Sequence, residues 1–271
     1  MCHVKHVFDF VRKQCLTDAQ QRVYLQQLLA PHSRPRGLDC GVYLCRSNTR
    51  RGGRQVPARP AILRVMFFID GQNLYHGCLG HFGHGHCRVD LLAARILHGR
   101  QLAGIRYYTG IHDPRVDPLS NAVMSRRLQV MRDRGVYVYT HPLKYSNQHR
   151  ADRVVPPCEH GFRKVDVVRR GREKGIDLRI GLDMLRLARH GEFDVAVLVS
   201  QDTDLNQAVD ELLDLREELD RWLVVENAFP YATTSGKPKF RLQSCARWHV
   251  IDEAMFERIR DDADYTKPLR A

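Results

Sequence analysis

From Ala61 onward, apolar and polar positions fall into regular blocks. The run Ala61-Ile62-Leu63-Arg64-Val65-Met66-Phe67-Phe68-Ile69 is nearly all apolar and of strand length, the pattern of a strand covered on both faces in a parallel sheet. It stops at Asp70-Gly71. Similar short runs recur at 104–108, 136–140, 194–199 and 222–225, with a weaker one at 247–251. Between them, apolar residues at helical spacing predict helices near 90–97, 119–134, 177–189 and 204–219. Strands and helices alternating at these lengths predict an α/β fold with a Rossmann-like, doubly wound, mainly parallel sheet. There is no internal repeat.

The alternation is interrupted twice. Between Leu143 and Gly175 lie Pro156, Pro157, Cys158, His160 and a basic cluster, so a long loop or a small excursion is expected there. Within residues 1–60 a helix-like stretch at 18–29 is followed by Pro31, Pro35, Gly37, Gly41, Gly52, Gly53, Pro57 and Pro60, which break any longer pattern. The organisation expected is a basic, poorly ordered extension over 1–60, a domain over 61–252, and a charged helix and tail over 253–271. A true start near Met66 is the alternative reading of the first segment.

Charge sharpens this picture. The 271 residues hold 43 Lys+Arg against 31 Asp+Glu, a formal net charge of +12, which favours a polyanionic partner, nucleic acid ahead of anionic membrane. Eleven of those cations and three of the acids lie in residues 1–60, so the body is only mildly basic. A second excess, nine basic residues against four acidic ones, spans 144–174. No window has the roughly 18–20 apolar residues of a bilayer span and no signal peptide opens the chain, so a cytoplasmic protein without membrane contact is expected. Its eight cysteines are then expected to be reduced thiols. His81, His84, His86 and Cys87 have zinc-capable side chains, but without a Cys-x-x-Cys knuckle a polar loop is the stronger reading.

In a doubly wound sheet, ligands bind beyond the carboxyl ends of the strands. The first strand delivers Asp70, Gly71, Gln72 and Asn73 there, and the strand ending at Val199 delivers Ser200, Gln201, Asp202, Thr203 and Asp204. Asp177, at a helix start, is a third source. Carboxylates converging at one edge need protons or a cation to coexist, and oxygen donors select a hard ion such as Mg²⁺ or Mn²⁺, which suits phosphodiester hydrolysis. Each acid also has a plain structural reading: Asp70 as a turn residue, Asp177 and Asp204 as helix caps. Asp183 lies six residues from Asp177, about 600° around a regular helix, so the two cannot face one ion from the same helix.

Three motifs, Phe68-Ile69-Asp70-Gly71-Gln72-Asn73-Leu74-Tyr75, Glu173-Lys174-Gly175-Ile176-Asp177-Leu178 with Asp183, and Val199-Ser200-Gln201-Asp202-Thr203-Asp204-Leu205, closely resemble the NYN domain family of PIN-like ribonucleases, which includes LabA-like bacterial proteins. The resemblance covers about residues 62–252. It implies a PIN-like fold and divalent-metal-dependent cleavage of RNA. Carried over by position, it implies catalytic and metal-binding roles for Asp70, Asp177, Asp202 and Asp204, with Asn73 orienting the first carboxylate and Asp183 and Ser200 in support. The last motif departs from the family pattern Ser-Gly-Asp-Ser-Asp-Phe at Gln201 and Leu205. Gln201 gives up the freedom of glycine, so it either redirects the loop or places an amide beside the substrate.

RNA is thus the expected partner, steered by Lys144, Arg169, Arg170, Arg172 and Lys174, with self-association left open. Two other readings remain: a non-catalytic RNA-binding or regulatory module, and a structure-selective DNA nuclease. Tyr107, Tyr108, Tyr137, Tyr139 and Tyr145 could stack on bases but are more simply strand residues, and Arg126, Arg127, Arg132 and Arg134 read as a solvated helix face. No dinucleotide fingerprint, P-loop or Gly-x-Ser-x-Gly elbow is present.

Overall fold

The computed structural model describes residues 42–44, 57–149, 167–236, 242 and 244–267, without the side chains of 42–44, 147–149 and 167–169. The apolar run of the first motif becomes β2 (Arg64–Asp70), buried at six of its seven positions. Such burial needs a neighbour on every side. β3 (Gln101–Ile111) and β7 (Val195–Val199) flank it in parallel; β4 (Tyr137–Pro142) lies beyond β3, and β8 (Val224–Pro230) and β9 (Arg247–Ile251) beyond β7. β1 (Val42–Leu44) pairs antiparallel with β9 and completes the order β1-β9-β8-β7-β2-β3-β4. The sheet is therefore α/β, with six parallel strands at its centre, as the alternation predicts.

Alternation along β2 divides the core. Val65, Phe67 and Ile69 enter one apolar cluster with Leu74, Cys78, Leu92, Ile96, Leu128, Met131 and Phe256. These come from α1 (Gly71–Phe82), α2 (Val89–Leu97), α3 (Pro118–Asp133) and α6 (Glu253–Ile259). Met66 and Phe68 enter the other with Ile176, Ile180 and Met184 of α4 (Ile176–Arg189) and Val209 and Leu212 of α5 (Asn206–Glu218). α6 buries Phe256 and Ile259 in the core shared with α1 and α2, so the expected charged C-terminal helix is part of the body.

Three features go beyond what the sequence pattern specifies. α1 starts at once after β2, where no helix is expected, because its buried side consists of little more than Leu74 and Cys78 and gives almost no periodic signal. The connection 143–175 contains an antiparallel hairpin, β5 (Lys144–His149) and β6 (Val167–Arg172). Val42–Leu44, inside the segment expected to be poorly ordered, forms the edge strand β1. The expectation for the rest of residues 1–56, including the helix-like stretch at 18–29, lies outside the described residues, as do Cys158 and His160. Among the described residues Cys78, Cys87 and Cys245 form no disulfide, and no helix is long and apolar enough to cross a membrane.

From β2 the chain proceeds outward to β3 and β4, then crosses back to β7 and proceeds the other way to β8 and β9. The strand order thus switches between β2 and β7, and a crevice opens beyond their carboxyl ends.

Candidate active site

Asp70 ends β2 and caps α1, accepting a hydrogen bond from Asn73 N at 3.0 Å. The Asn73 side chain completes a bridge: its Oδ1 accepts from Gln201 N at 2.9 Å. On the β7 side, Ser200 Oγ donates to Asp70 Oδ2 at 3.4 Å and accepts from Asp202 N at 3.1 Å. The first and third motifs are therefore stitched together through Asn73 and Ser200. Asn227 of β8 supports this loop from below, its Nδ2 donating to Leu198 O at 2.9 Å and to Ser200 O at 2.7 Å. Gln201 does not adopt a positive φ, so the loop has no need of glycine's freedom there.

An open cavity of about 480 Å³ fills the crevice. Asp70, Asn73, Asp177, Gln201 and Asp202 line it, together with His76, Glu173 and Lys174. Asp177 lies in the first turn of α4, whose amino end is formed by Gly175 at φ 82°, so Asp177 is not itself the cap. Asp202 caps the short turn Thr203–Leu205 by accepting from Asp204 N at 3.0 Å. Asp204 is exposed, outside the cavity lining.

The charges are strained. Burial pushes the Asp70 carboxyl up to about 7, and the nearby charges of Asp177 and Glu173 add to this against the hydrogen bonds from Asn73 and Ser200. Asp177 is also raised, by burial and then by Asp202 and Asp204. Glu173 is raised chiefly by burial, although Gly110 N and the Thr109 hydroxyl donate to it. Among the described residues no arginine offsets the cavity carboxylates in these shifts. Toward the amino ends of the strands the pattern reverses. There burial is overcome by Arg64, which holds Asp194 low, and by His249 and Arg100, which hold Glu226 at about 2.

The other predicted residues fall in different places. Asp183 is buried away from the cavity lining, bound by Arg106, Arg179 and Arg186 and by the Tyr108 hydroxyl. Lys144 and Arg172 stand directly opposite each other in the hairpin and share a face with Arg170, and Arg169 pairs with Asn147 in the register. Tyr145 anchors the hairpin: its hydroxyl lies 3.1 Å from His112 Nδ1 and accepts from Asp113 N at 3.2 Å. Tyr107 and Tyr108 are buried. So is Arg127, against the expectation of a solvated helix face, because its guanidinium reaches the Tyr107 hydroxyl at 3.4 Å beneath α1. Glu173, His76 and Asn227 are cavity or supporting residues missed in the sequence. Glu173 alone had a signal, its place in the second motif.

Among the described residues no three His, Cys, Asp or Glu side chains are gathered closely enough to hold a metal ion, the His81–Cys87 stretch included. The fit of a cation to the cavity rests instead on charge and donor type. The carboxylates among the lining residues, Asp70, Glu173, Asp177 and Asp202, are oxygen donors, and burial with the added charge of neighbouring acids raises Asp70 and Asp177, a cost that a hard divalent ion lowers.

A doubly wound parallel sheet with an acidic cavity at its switch point defines an α/β protein, an architecture consistent with a PIN-like fold. The chain belongs to the NYN domain family, whose model matches residues 64–233. NYN domains are generally nucleases, and PIN-like nucleases typically use divalent metals. None of the curated proteins matches the chain. A solved structure of a protein of unknown function from Vibrio parahaemolyticus is similar at 15% identity and a TM-score of 0.45, over 72% of this chain and 97% of that one.

Proposed function

We propose that the chain is a divalent-metal-dependent ribonuclease that hydrolyses RNA phosphodiesters in the cavity between β2 and β7. The observation that carries this reading is Asp70: a buried carboxyl at the switch point, raised to about 7, lining one cavity with Asp177 and Asp202 and with no described arginine to offset it. Asp70, Asp177 and Asp202, with Asp204 at the rim, would hold Mg²⁺ or Mn²⁺, which when bound acidifies a water and neutralises charge on the scissile phosphate. The chain's own residues do the rest. Asn73 and Ser200 fix the Asp70 carboxylate and the Asp202 loop in one register. Lys174 and the Gln201 side chain, both lining the cavity, bind the phosphate oxygens. Lys144, Arg169, Arg170 and Arg172 on the hairpin lead the RNA backbone in.

The test uses the full chain on end-labelled single-stranded RNA with Mg²⁺, Mn²⁺ or EDTA. Cleavage should require the metal and fall to background in Asp70→Asn and Asp202→Asn. Equal cleavage by the pure variants would reject the proposal. The absence of a preformed three-donor cluster among the described residues favours one second reading, an RNA-binding module without turnover. Binding by a folded protein that cuts neither RNA nor matched single-stranded DNA would select it.

A further inference from the structure

Outside the cavity, a stripe of arginine and tyrosine side chains lies where α4 overhangs the edge strand β4. Tyr137 and Tyr139 are two apart on β4 and stand on one face of the sheet. Their register partners on β3 are Arg106 and Tyr108. The Arg106 guanidinium lies 3.8 Å from the centre of the Tyr137 ring, and that of Arg179, from α4, lies 4.8 Å from the Tyr139 ring. All this converges on Asp183, which pairs with Arg106 at 3.1 Å and with Arg179 and Arg186 at 3.2 Å each. Three cations around one buried anion leave the stripe positive.

No described residue closes over that stripe. Tyr137 is 45% exposed and the Arg186 side chain 56%, and β4 is the last strand of the sheet. A ring backed on one face by a guanidinium offers its other face for stacking, and the surplus cations suit a polyanion. A duplex keeps its base faces inside the stack, and an acidic peptide would engage the arginines and leave the rings idle. Unpaired bases on a phosphate backbone use both. The stripe is also close to the chemistry, since α4 runs from Asp177 at the cavity to Asp183, about 9 Å along the helix axis.

We propose that this stripe is a track for single-stranded RNA flanking the scissile bond. Tyr137 and Tyr139 stack its bases, Arg179 and Arg186 meet its phosphates, and Asp183 and Arg106 act as positioning residues. The inference rests on the ribonuclease reading for the identity of the strand, and makes the enzyme selective for RNA that is unpaired beside the cut.

Two measurements separate the track from the nuclease. The first compares kcat/KM of the full chain on a short RNA that fills only the cavity with that on the same RNA extended by about ten unpaired nucleotides. The extension should raise kcat/KM; Tyr137→Ala should reduce that gain about 5- to 150-fold, the range expected for losing one stacked base, and Arg186→Ala should reduce it through a lost phosphate contact. Tyr137→Phe should keep it. The second is fluorescence anisotropy of labelled single-stranded RNA in EDTA, where the same losses should appear, with binding of the matched duplex unchanged. Circular dichroism identifies any variant that fails to fold, and the exposed Arg186→Ala provides an independent probe. Wild-type behaviour of Tyr137→Ala and Arg186→Ala in both assays overturns the track while leaving the ribonuclease reading standing. Binding that depends on Tyr137 without any cleavage overturns the ribonuclease reading and keeps the track. No RNA binding by the wild-type chain overturns both.

Discussion

Asp70 carries two demands that oppose each other. As the cap of α1 it accepts a hydrogen bond from Asn73 N, which favours the ionised form, yet burial and the charges of Asp177 and Glu173 raise it to about 7. The consequence for stability has a definite sign. In the metal-free protein the folded state keeps this proton to higher pH than the unfolded chain, so the stability present below about pH 4 is lost as pH rises toward 7. Asp70→Asn keeps the capping oxygen and discards the charge. Its Tm without divalent ions should exceed that of the wild type by several degrees at pH 8, with the difference shrinking toward zero by pH 4, in thermal melts across that range. Asp183 makes the contrasting case. Its neighbours are Arg106, Arg179 and Arg186, so Asp183→Asn should destabilise the fold by about 3–5 kcal/mol, the cost of breaking a buried ion pair. Denaturant unfolding measures that loss, while Mn²⁺ affinity measured by titration should stay near wild type. The separation of these two acids was legible as helical phase, 600° apart, and only the family resemblance gave Asp177 the cavity; what holds Asp183 away from it was not legible. That depended on the arginine of β3 and the arginines of α4 meeting in space.

At the scale of elements, the join between β2 and α1 shows why sequence periodicity can fall silent at a site. α1 is recognised poorly from its sequence because most of its side chains serve the cavity, the solvent or the cap, and only Gly71, Leu74 and Cys78 are buried. Gly71, read in the sequence as part of a turn, is needed for close approach: a Cβ there would lie 2.5 Å from the Tyr107 ring, which is itself buried and bonded to Arg127. Neither ring nor guanidinium has room to yield. Gly71→Ala should therefore push the start of α1 off β3, lowering stability by about 1–3 kcal/mol as overpacking in a dense core does. It should also reduce cleavage more than stability alone explains, because Asn73 and Asp70 move with that turn. Denaturant unfolding and cleavage rates measured on one preparation would show both effects. The strands were legible for the opposite reason. β7 is buried end to end and β2 at all but its first position, so both carry a nearly continuous apolar run. The hairpin β5–β6 was not, because polar residues such as Ser146, Asn147, Arg170 and Arg172 make two strands that carry little apolar signal.

Across the whole molecule, the sheet separates its carboxylates by the company they keep. Toward the amino ends, Asp194 and Glu226 have arginine or histidine partners and are held low; beyond the carboxyl ends, Asp70, Asp177 and Glu173 face a cavity and are held high. The first arrangement fastens strands together, and the second is open to a ligand that brings positive charge. The net basic composition was visible from the start, yet its useful part is a matter of register. Lys144 opposite Arg172, with Arg170 on the same face, gathers three cations on one side of a two-stranded ribbon, within reach of a phosphate backbone lying across it. If RNA phosphates lie there, the contacts show as salt-dependent affinity. For single strands, each phosphate contact contributes about 0.7 to the slope of log K against log salt. Replacing Lys144, Arg170 and Arg172 together by Ala should flatten that slope by about two and weaken binding most at low salt. The fold should survive, since Tyr145 and its bonds to His112 and Asp113 anchor the hairpin independently of those charges. Anisotropy titrations of labelled single-stranded RNA over a range of KCl concentrations give the slope directly. A slope equal to wild type would mean that the phosphates never reach the ribbon, and would leave Lys174 at the cavity and the arginines flanking α4 to hold the strand.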